Sequence, residues 1–545
     1  MKPEAWASPL ASHASLAQPA RVSAPLPSPP SSARPTVAVI GAGFSGVLTA
    51  VHLLRAEEGP RVLLVERGAR FGRGAAYATA NPRHLLNVRG ANMSAFPDAP
   101  AHFLDWLGVH PAEGERVFVT RDRYGEYLQF LLREAQARAA GRLVLEHDEA
   151  VAVARTAGGW SVSLAMGRRL AVDAVVLALG NLPPPAPEGV SAGALASGRW
   201  IADPWAWIER DAAAPGDVLL IGSGLTAADV AIALEARNPA ARILALSRHG
   251  LVPRAHAPVA AAPAEVETPR ASVRRVLRRI REAGADDWRG AVDALRPHVQ
   301  DLWRSWDLKE RRRFLRHARP WWEVSRHRLA PQVAAHLGAL RESGRLETEA
   351  GRLVTLTPAP DGLEAVWTPR GGGPERRRRF ALAINCAGPL SDVARAEDPL
   401  VSGLIADGLA RPDACGLGLD VDDVSRLIGA SGPADSLFAV GPLTRGQVYE
   451  MTSVPDIRLQ AAQVARAILA HLAACPRILE AVGAGPADRL AGDLRRYLAE
   501  RAAELEIEIA SRAAARRMRG AWELRGRLMA LEELGAWLEG VSGTR

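Results

Sequence analysis

One pattern occurs twice in this 545-residue chain, and it constrains the fold more than any other feature. In the first copy Thr36–Ile40, rich in β-branched residues, leads into Gly41-Ala42-Gly43-Phe44-Ser45-Gly46 and an apolar helical stretch. A second strand-like run, Arg61–Val65, ends at Glu66, 25 residues after Gly41. In the second copy Asp217–Ile221 leads into Gly222-Ser223-Gly224-Leu225-Thr226-Ala227 and the helical stretch Ala228–Leu234. The strand Ile243–Leu246 then ends at Ser247-Arg248-His249, with Ser247 again 25 residues after the first glycine. A bare glycine string is weak evidence, but the full order of strand, glycines, helix and strand is specific. The first glycine permits the tight turn, the second lets backbone approach a pyrophosphate, and the third lets helix and strand pack closely. The expected fold is α/β with two dinucleotide-binding, Rossmann-like domains.

Val37–Leu54 is nearly uncharged and long enough to resemble a membrane span. Gly41, Gly43 and Gly46 divide it into strand, turn and helix instead, so the chain is expected to be soluble and cytoplasmic, with no membrane partner. Apolar residues make up 48% of the chain and charged residues 23%, which excludes collagen-like and wholly disordered classes. Cys386, Cys415 and Cys475 stand far apart. That spacing argues against a disulfide framework, a zinc ribbon or a dithiol centre, and no metal site is expected.

The two copies differ where the second strand ends. Glu66 can accept hydrogen bonds from a ribose diol. Ser247 and Arg248 replace the acid in the second copy, which removes repulsion of a 2′-phosphate and supplies a guanidinium to pair with it. The second site therefore reads as NADPH rather than NADH. Two different dinucleotides in one chain have a common purpose if nicotinamide reduces a flavin, which makes the first site one for FAD. Further strand ends fit this layout: Val175–Leu179 stops at Gly180, Phe380–Asn385 at Cys386-Ala387-Gly388, and Leu437–Val440 at Gly441-Pro442. Pro455 then opens a helical pattern over Asp456–Ala474, whose N-terminus suits the electron-rich end of a flavin.

Several blocks carry a more specific likeness. They are the Gly41 turn, Gly74-Ala75-Ala76-Tyr77, His84-Leu85-Leu86-Asn87-Val88, Met93-Ser94 and Arg121 with Tyr124-Gly125-Glu126-Tyr127-Leu128. The Gly222 turn with Ser247-Arg248-His249-Gly250, Arg313-Phe314-Leu315-Arg316-His317 and Arg326-His327-Arg328 complete the set. With these the chain, over about residues 36–475, resembles the bacterial FAD/NAD(P)-binding flavoproteins. That group includes FAD-dependent urate hydroxylase and the aspartate N-monooxygenase that makes nitrosuccinate, and it is related to flavin-containing monooxygenases. The resemblance implies a monooxygenase that inserts oxygen from dioxygen into a small, anionic, urate-like or amino-acid-like substrate through a flavin C4a-(hydro)peroxide. It places FAD at Gly41, Ala42, Gly43, Phe44, Ser45, Gly46, Glu66 and Arg67. It places NADPH at Gly222, Ser223, Gly224, Leu225, Thr226, Ser247 and Arg248. Asn87, Met93, Ser94, Val151, Gly180, Gly388, Gly441, Thr452 and Ser453 are further cofactor candidates, with backbone near Val151 against adenine. Trp322, Arg326, His327 and Arg328 are substrate candidates. Pro442 stands where many two-dinucleotide reductases have an aspartate, so the ribityl contact must come from elsewhere.

The expected domain order is a leader (1–34), the FAD domain in two parts (35–200 and 391–475), and the NAD(P)H domain (215–390) inserted between them. That domain carries a helical insert (264–345), and a helical extension (476–545) closes the chain. Residues 264–330 hold 17 basic against 10 acidic residues, nearly the whole net charge of +8, together with Trp288, Trp303, Trp306, Trp321 and Trp322. Interleaved arginines and aromatics suit single-stranded nucleic acid. A solvated face formed by Arg274, Arg275, Arg278, Arg279 and Arg281, over tryptophans packed as a lid, is the preferred reading, with no nucleic-acid partner. His84 and His317 are read as structural rather than as bases, and Cys386 as a buried small hydrophobe. A flavoprotein reductase without oxygen insertion is the alternative function, and a nucleic-acid-binding protein the remote one. The oligomeric state is left open.

Overall fold

The computed structural model describes residues 34–210, 216–258, 271–285 and 287–474. The expected leader, apart from Arg34, and the C-terminal extension lie outside the described residues. In chain order the strands are β1 Thr36–Ile40, β2 Arg61–Glu66, β3 Leu143–His147, β4 Ala150–Thr156, β5 Gly159–Leu164, β6 Arg169–Val172, β7 Ala174–Leu177 and β8 Trp200–Ile201. They continue as β9 Val218–Ile221, β10 Ile243–Ser247, β11 Leu346–Ala359, β12 Gly362–Pro369, β13 Arg376–Phe380, β14 Leu382–Asn385, β15 Arg426–Gly429 and β16 Gly432–Ala439.

These strands form two large sheets and one small one. The first runs β15-β16-β7-β1-β2-β3, parallel except for the β15–β16 edge. The second runs β13-β12-β11-β10-β9-β14-β8, parallel from β8 to β11 and antiparallel beyond. Strands β4, β5 and β6 make an antiparallel meander against one face of the first sheet. In each large sheet the glycine-turn strand is central: β1 lies between β2 and β7, and β9 between β10 and β14. Chain order reverses at these strands, so a crevice opens at the carboxyl ends of both, where open α/β sheets bind ligands.

The central strands are apolar runs because both faces are covered: β1 is buried from Val37 to Ile40 and β9 throughout. Helix Phe44–Leu54 is buried on nearly every side. It packs between the first sheet, helix Arg121–Arg138 and helix Val454–Ala474 in one core. Helices from Val273–Ala283 to Pro331–Glu342 lie between β10 and β11 and so interrupt the second unit. Arg274, Arg275, Arg278 and Arg281 are exposed on Val273–Ala283, while Val273 and Val276 point into the insert's own core. Trp303, Trp306 and Trp322 pack in or against that core and line a pocket beside it, whereas Trp321 is exposed. No helix of the described residues is long and apolar enough to cross a membrane.

Candidate functional site

The two turns have nearly the same backbone. Helix Phe44–Leu54 starts at Gly43 with φ −75° and ψ −164°, and helix Leu225–Arg237 starts at Gly224 with φ −82° and ψ −163°. Neither has a side-chain cap. Their first-turn N–H groups therefore have no side-chain acceptor, the arrangement in which helix N-termini can receive an anion. Leu225 and Thr226 open the second helix, both half-buried.

The glycines divide by what surrounds them. Gly41 and Gly222 have φ of +100° and +118°, and a side chain there would strike the Ala178 or Cys386 carbonyl, just past the ends of β7 and β14. At Gly46 a side chain would strike the Gly41 carbonyl. At Gly43 the nearest atom to an added Cβ is Gly74 Cα at 3.6 Å, an ordinary contact, and at Gly224 nothing lies within 4 Å. The folded chain thus demands glycine at 41, 46 and 222 but not at 43 or 224. At those two places the missing side chain leaves room for a ligand.

At the next strand end the units diverge. Glu66 accepts hydrogen bonds from Ala42 N and Gly68 N, both at 2.7 Å, which seats its carboxylate against the first turn. Asp148 N donates to the Glu66 carbonyl at 3.1 Å, and Arg67 pairs with Glu149 at 3.1 Å, so the segment before Val151 adjoins this acid. In the second unit the Ser223 and Ser247 hydroxyls lie 2.8 Å apart, and Gly250 N donates to Ser247 Oγ at 3.1 Å. Arg248 is exposed, and its guanidinium has no hydrogen bond or ion pair among the described residues. Arg370 Nη1 donates to the Arg248 carbonyl at 3.4 Å, bringing a second guanidinium to this end that sequence patterns did not reveal.

Other candidates gather at the first turn. A Cβ on Gly441 would lie 2.6 Å from Ser45 Oγ, so the end of β16 presses on the first helical turn. Gln460 Oε1 accepts from Gly441 N at 2.8 Å. Tyr124 donates to the Met93 carbonyl at 3.0 Å, and Arg458 of helix Val454–Ala474 donates to the Ser94 carbonyl at 3.0 Å. Buried Ser453, just before that helix, donates its hydroxyl to the Asp456 carboxylate, and Thr452 beside it is exposed. Ser453 therefore adjoins the start of that helix and Ser94 its Arg458, with Met93 in the same core. Gly180 and Gly388 lie on the two connections between the units, which meet at the Leu182–Leu390 bridge and where Asn385 Nδ2 donates to the Pro185 carbonyl at 3.2 Å.

Further side chains lock the units together. Asp229, on helix Leu225–Arg237, takes Arg121 Nη2 on its carboxylate at 2.9 Å, and its carbonyl lies 3.0 Å from His84 Nε2. His84 is fully buried, its other nitrogen is 2.8 Å from Thr79 Oγ1, and burial lowers its pKa. These contacts give it a structural place. His256 Nε2 meets the Asn87 carbonyl at 3.0 Å, and Arg89 donates to the Ala257 carbonyl at 2.6 Å. The joint spans long sequence separations and has no local signature.

Of the substrate candidates, two come to the start of helix Val454–Ala474 and two do not. Trp322 Nε1 donates to Glu450, and Arg326 Nε donates to the same carboxylate at 2.9 Å. Arg326 Nη2 stands 3.9 Å from Asp456. Burial opposes the charge on Arg326, but Glu450 and Asp456 more than offset it and raise its pKa. Burial pushes the Asp456 carboxyl up against the pull of Arg326. Glu450 itself has φ +65°, a strained conformation of the kind found at functional sites. His327 pairs with Glu323 at 3.1 Å, and Arg328 is buried on Asp293 at 2.9 Å over the Trp288 ring. The guanidiniums of Arg326 and Arg328 are thus already matched by carboxylates.

Residues 38–182 match the family model described as FAD-NAD(P)-binding. No curated protein matches the chain in sequence. The ornithine N-hydroxylase of Kutzneria sp. 744, in a structure with reduced FAD, NADP+ and L-ornithine, superposes with TM-score 0.55 at 16% identity, covering 80% of this chain and 99% of that one. L-lysine 6-monooxygenase from Pseudomonas syringae gives 0.56 at 17% identity over 80% of this chain and 99% of that one. The FAD-bound cadaverine monooxygenase of Erwinia amylovora gives 0.56 at 12% identity over 80% and 94%. At such identities the likeness is one of fold. The chain carries an FAD-NAD(P)-binding domain set within the fold of two-dinucleotide flavoproteins.

Proposed function

We propose that this protein is an FAD-dependent, NADPH-using monooxygenase of a small molecule. The observation that carries the reading is the pair of uncapped helix N-termini, each behind a glycine that no protein atom requires, at matched switch points of two sheets. The solved structures of like fold whose titles name amino-acid and amine hydroxylases support the oxygenase part.

The residues fit the cofactors. Gly43 and the first turn of its helix receive the FAD pyrophosphate, and Glu66, already oriented by two backbone N–H groups, accepts the ribose hydroxyls. Gly224 does the same for NADPH, and Arg248 meets the 2′-phosphate. FAD held at the first turn would supply the redox chemistry, the transfer of electrons from reduced nicotinamide to dioxygen. The Asp229 and His256 contacts hold the two units in one relative position. The buried Arg326–Glu450 pair, with Asp456 half-buried beside it, shields part of the start of helix Val454–Ala474 from bulk water.

Incubation with NADPH and labelled dioxygen tests this. Substrate-dependent NADPH oxidation with one labelled oxygen in the product is the expected result. Turnover of NADPH with no label in any product makes the protein a reductase and overturns the oxygenase.

A further inference from the structure

Two loops meet at the carboxyl end of the second sheet. Ser247, the last residue of β10, is paired with Ala350 of β11. The turn after Ser247 folds back over that residue: Gly250 N donates to Ser247 Oγ at 3.1 Å, and a side chain on Gly250 would begin 3.0 Å from Ala350 Cβ. Just past β12, on the far side of β11, Arg370 N donates to the Ala350 carbonyl at 2.8 Å. Its side chain reaches back across the end of β11 and places Nη1 3.4 Å from the Arg248 carbonyl. The strand-end position of Ser247 and Arg248 is where a dinucleotide fold presents its reader of the adenosine 2′ position.

Charge separates Arg370 from the other arginines of its hairpin. Glu349 is taken by Arg376 at 2.8 Å, Glu347 by Arg378 at 3.3 Å, and Glu364 by Arg377 at 3.3 Å and Arg379 at 3.6 Å. Arg248 and Arg370 are both exposed, and neither has an ion pair among the described residues. One N–H of Arg370 goes to the Arg248 carbonyl, and the rest have no partner among those residues. Gly371, Gly372 and Gly373 follow, so no side chain of the turn screens the guanidinium. Two unmatched guanidiniums on touching loops suit a dianion, and a phosphate monoester carries close to two charges at neutral pH.

We propose that Arg370 is a second ligand of the nicotinamide nucleotide's 2′-phosphate, gripping it together with Arg248 from the opposite side of β11. The proposal rests on the NADPH reading of the second turn and adds to it a residue from another part of the chain, 122 positions from Arg248. The contact with the Arg248 carbonyl holds the two loops together, and the remaining donors bind the phosphate.

Calorimetric titration of the FAD-loaded protein with adenosine 2′,5′-bisphosphate and with 5′-AMP tests it, because the two compounds differ only in the 2′-phosphate. Wild type should prefer the bisphosphate at least about tenfold. Arg370→Ala should weaken the bisphosphate about five- to tenfold and leave 5′-AMP within about twofold, and Arg370→Lys should recover part of the loss. In an Arg248→Ala background, Arg370→Ala should still weaken the bisphosphate at least about threefold. No further loss there would show that Arg370 acts only by holding the Arg248 loop, and equal loss of both compounds would show a structural effect; either overturns the proposal. A wild type that prefers the bisphosphate, with Arg370→Ala keeping that preference in full, sinks the role of Arg370 alone. A wild type with no preference sinks the NADPH reading and the proposal with it.

Discussion

The third position of the two glycine turns separates what the chain needs from what a ligand needs. In the first unit it is Gly46, where any side chain would strike the Gly41 carbonyl. In the second it is Ala227, whose methyl is buried without conflict beside the same kind of turn. The helix of the first unit therefore sits closer to its strand. The second position behaves oppositely. Gly43 and Gly224 are alike in having nothing among the described residues to require them. Packing varies between the units, whereas the open space at the second glycine does not. At the strand end they differ again, with a carboxylate fixed by backbone in one and a hydroxyl pair beside an unpaired guanidinium in the other. That difference is what a ribose diol and a 2′-phosphate would each call for.

The largest effect should come from the two ligand glycines. Gly43→Val should lower FAD affinity at least about a hundredfold, roughly 2.7 kcal/mol, with the fold retained. Gly224→Val should leave FAD bound and raise KM for NADPH by a similar factor. Flavin absorbance after gel filtration and steady-state kinetics read the two. Full flavin occupancy in a folded Gly43→Val would break the equivalence of the turns.

Packing glycines come next. Gly46→Ala should destabilise by about 3 kcal/mol or more, because the clash is with backbone. Ala227→Gly should cost only about 1 kcal/mol, the helix-interior penalty. Denaturant midpoints measure both, and equal costs would mean the two helices sit alike.

Cofactor choice is sharpened by Arg248. Arg248→Ala should raise KM for NADPH at least about tenfold and barely change that for NADH. Arg248→Lys should recover part of the loss, since the ammonium keeps charge but not the planar fork. A parallel rise for both nucleotides would show that Arg248 stacks on the shared adenine.

The smallest effect concerns the joint. Burial lowers the His256 pKa from 6.5 to about 4, the nearby Arg89 and Arg328 adding to it and the Asn87 carbonyl opposing. Above about pH 6.5 the ring is neutral in folded and unfolded chains, and its contribution is complete. As pH falls towards 4 the unfolded chain takes up the proton first, so stability declines, and below about 4 the loss is complete. The share of this one ring is on the order of 1–2 kcal/mol. Unfolding midpoints of wild type and His256→Gln across this range should converge towards low pH.

What was legible in the sequence was local. Strand, turn, helix and the residue 25 positions on fall within one stretch of chain, so both units and the α/β class could be read from spacing. The helix opened by Pro455, which in the structure starts one residue earlier at Val454, and the solvated arginines of Val273–Ala283 were readable for the same reason. The joint was not, because Asp229 meets Arg121 and His84 across more than 100 residues with no periodic pattern. Nor could spacing tell that Arg326 is matched by Glu450, 124 residues away, or that Trp303, Trp306 and Trp322 line a pocket. Such pairings depend on how whole sheets and helices meet.

The central claim is that nicotinamide bound at the second turn reduces flavin bound at the first. Anaerobic rapid mixing of the FAD-loaded protein with NADPH tests it most directly, through bleaching of the flavin absorption. Wild type should bleach fully and faster with NADPH than with NADH at equal subsaturating concentration, and Gly224→Val should stay yellow under those conditions. Bleaching of Gly224→Val at the wild-type rate would contradict the account.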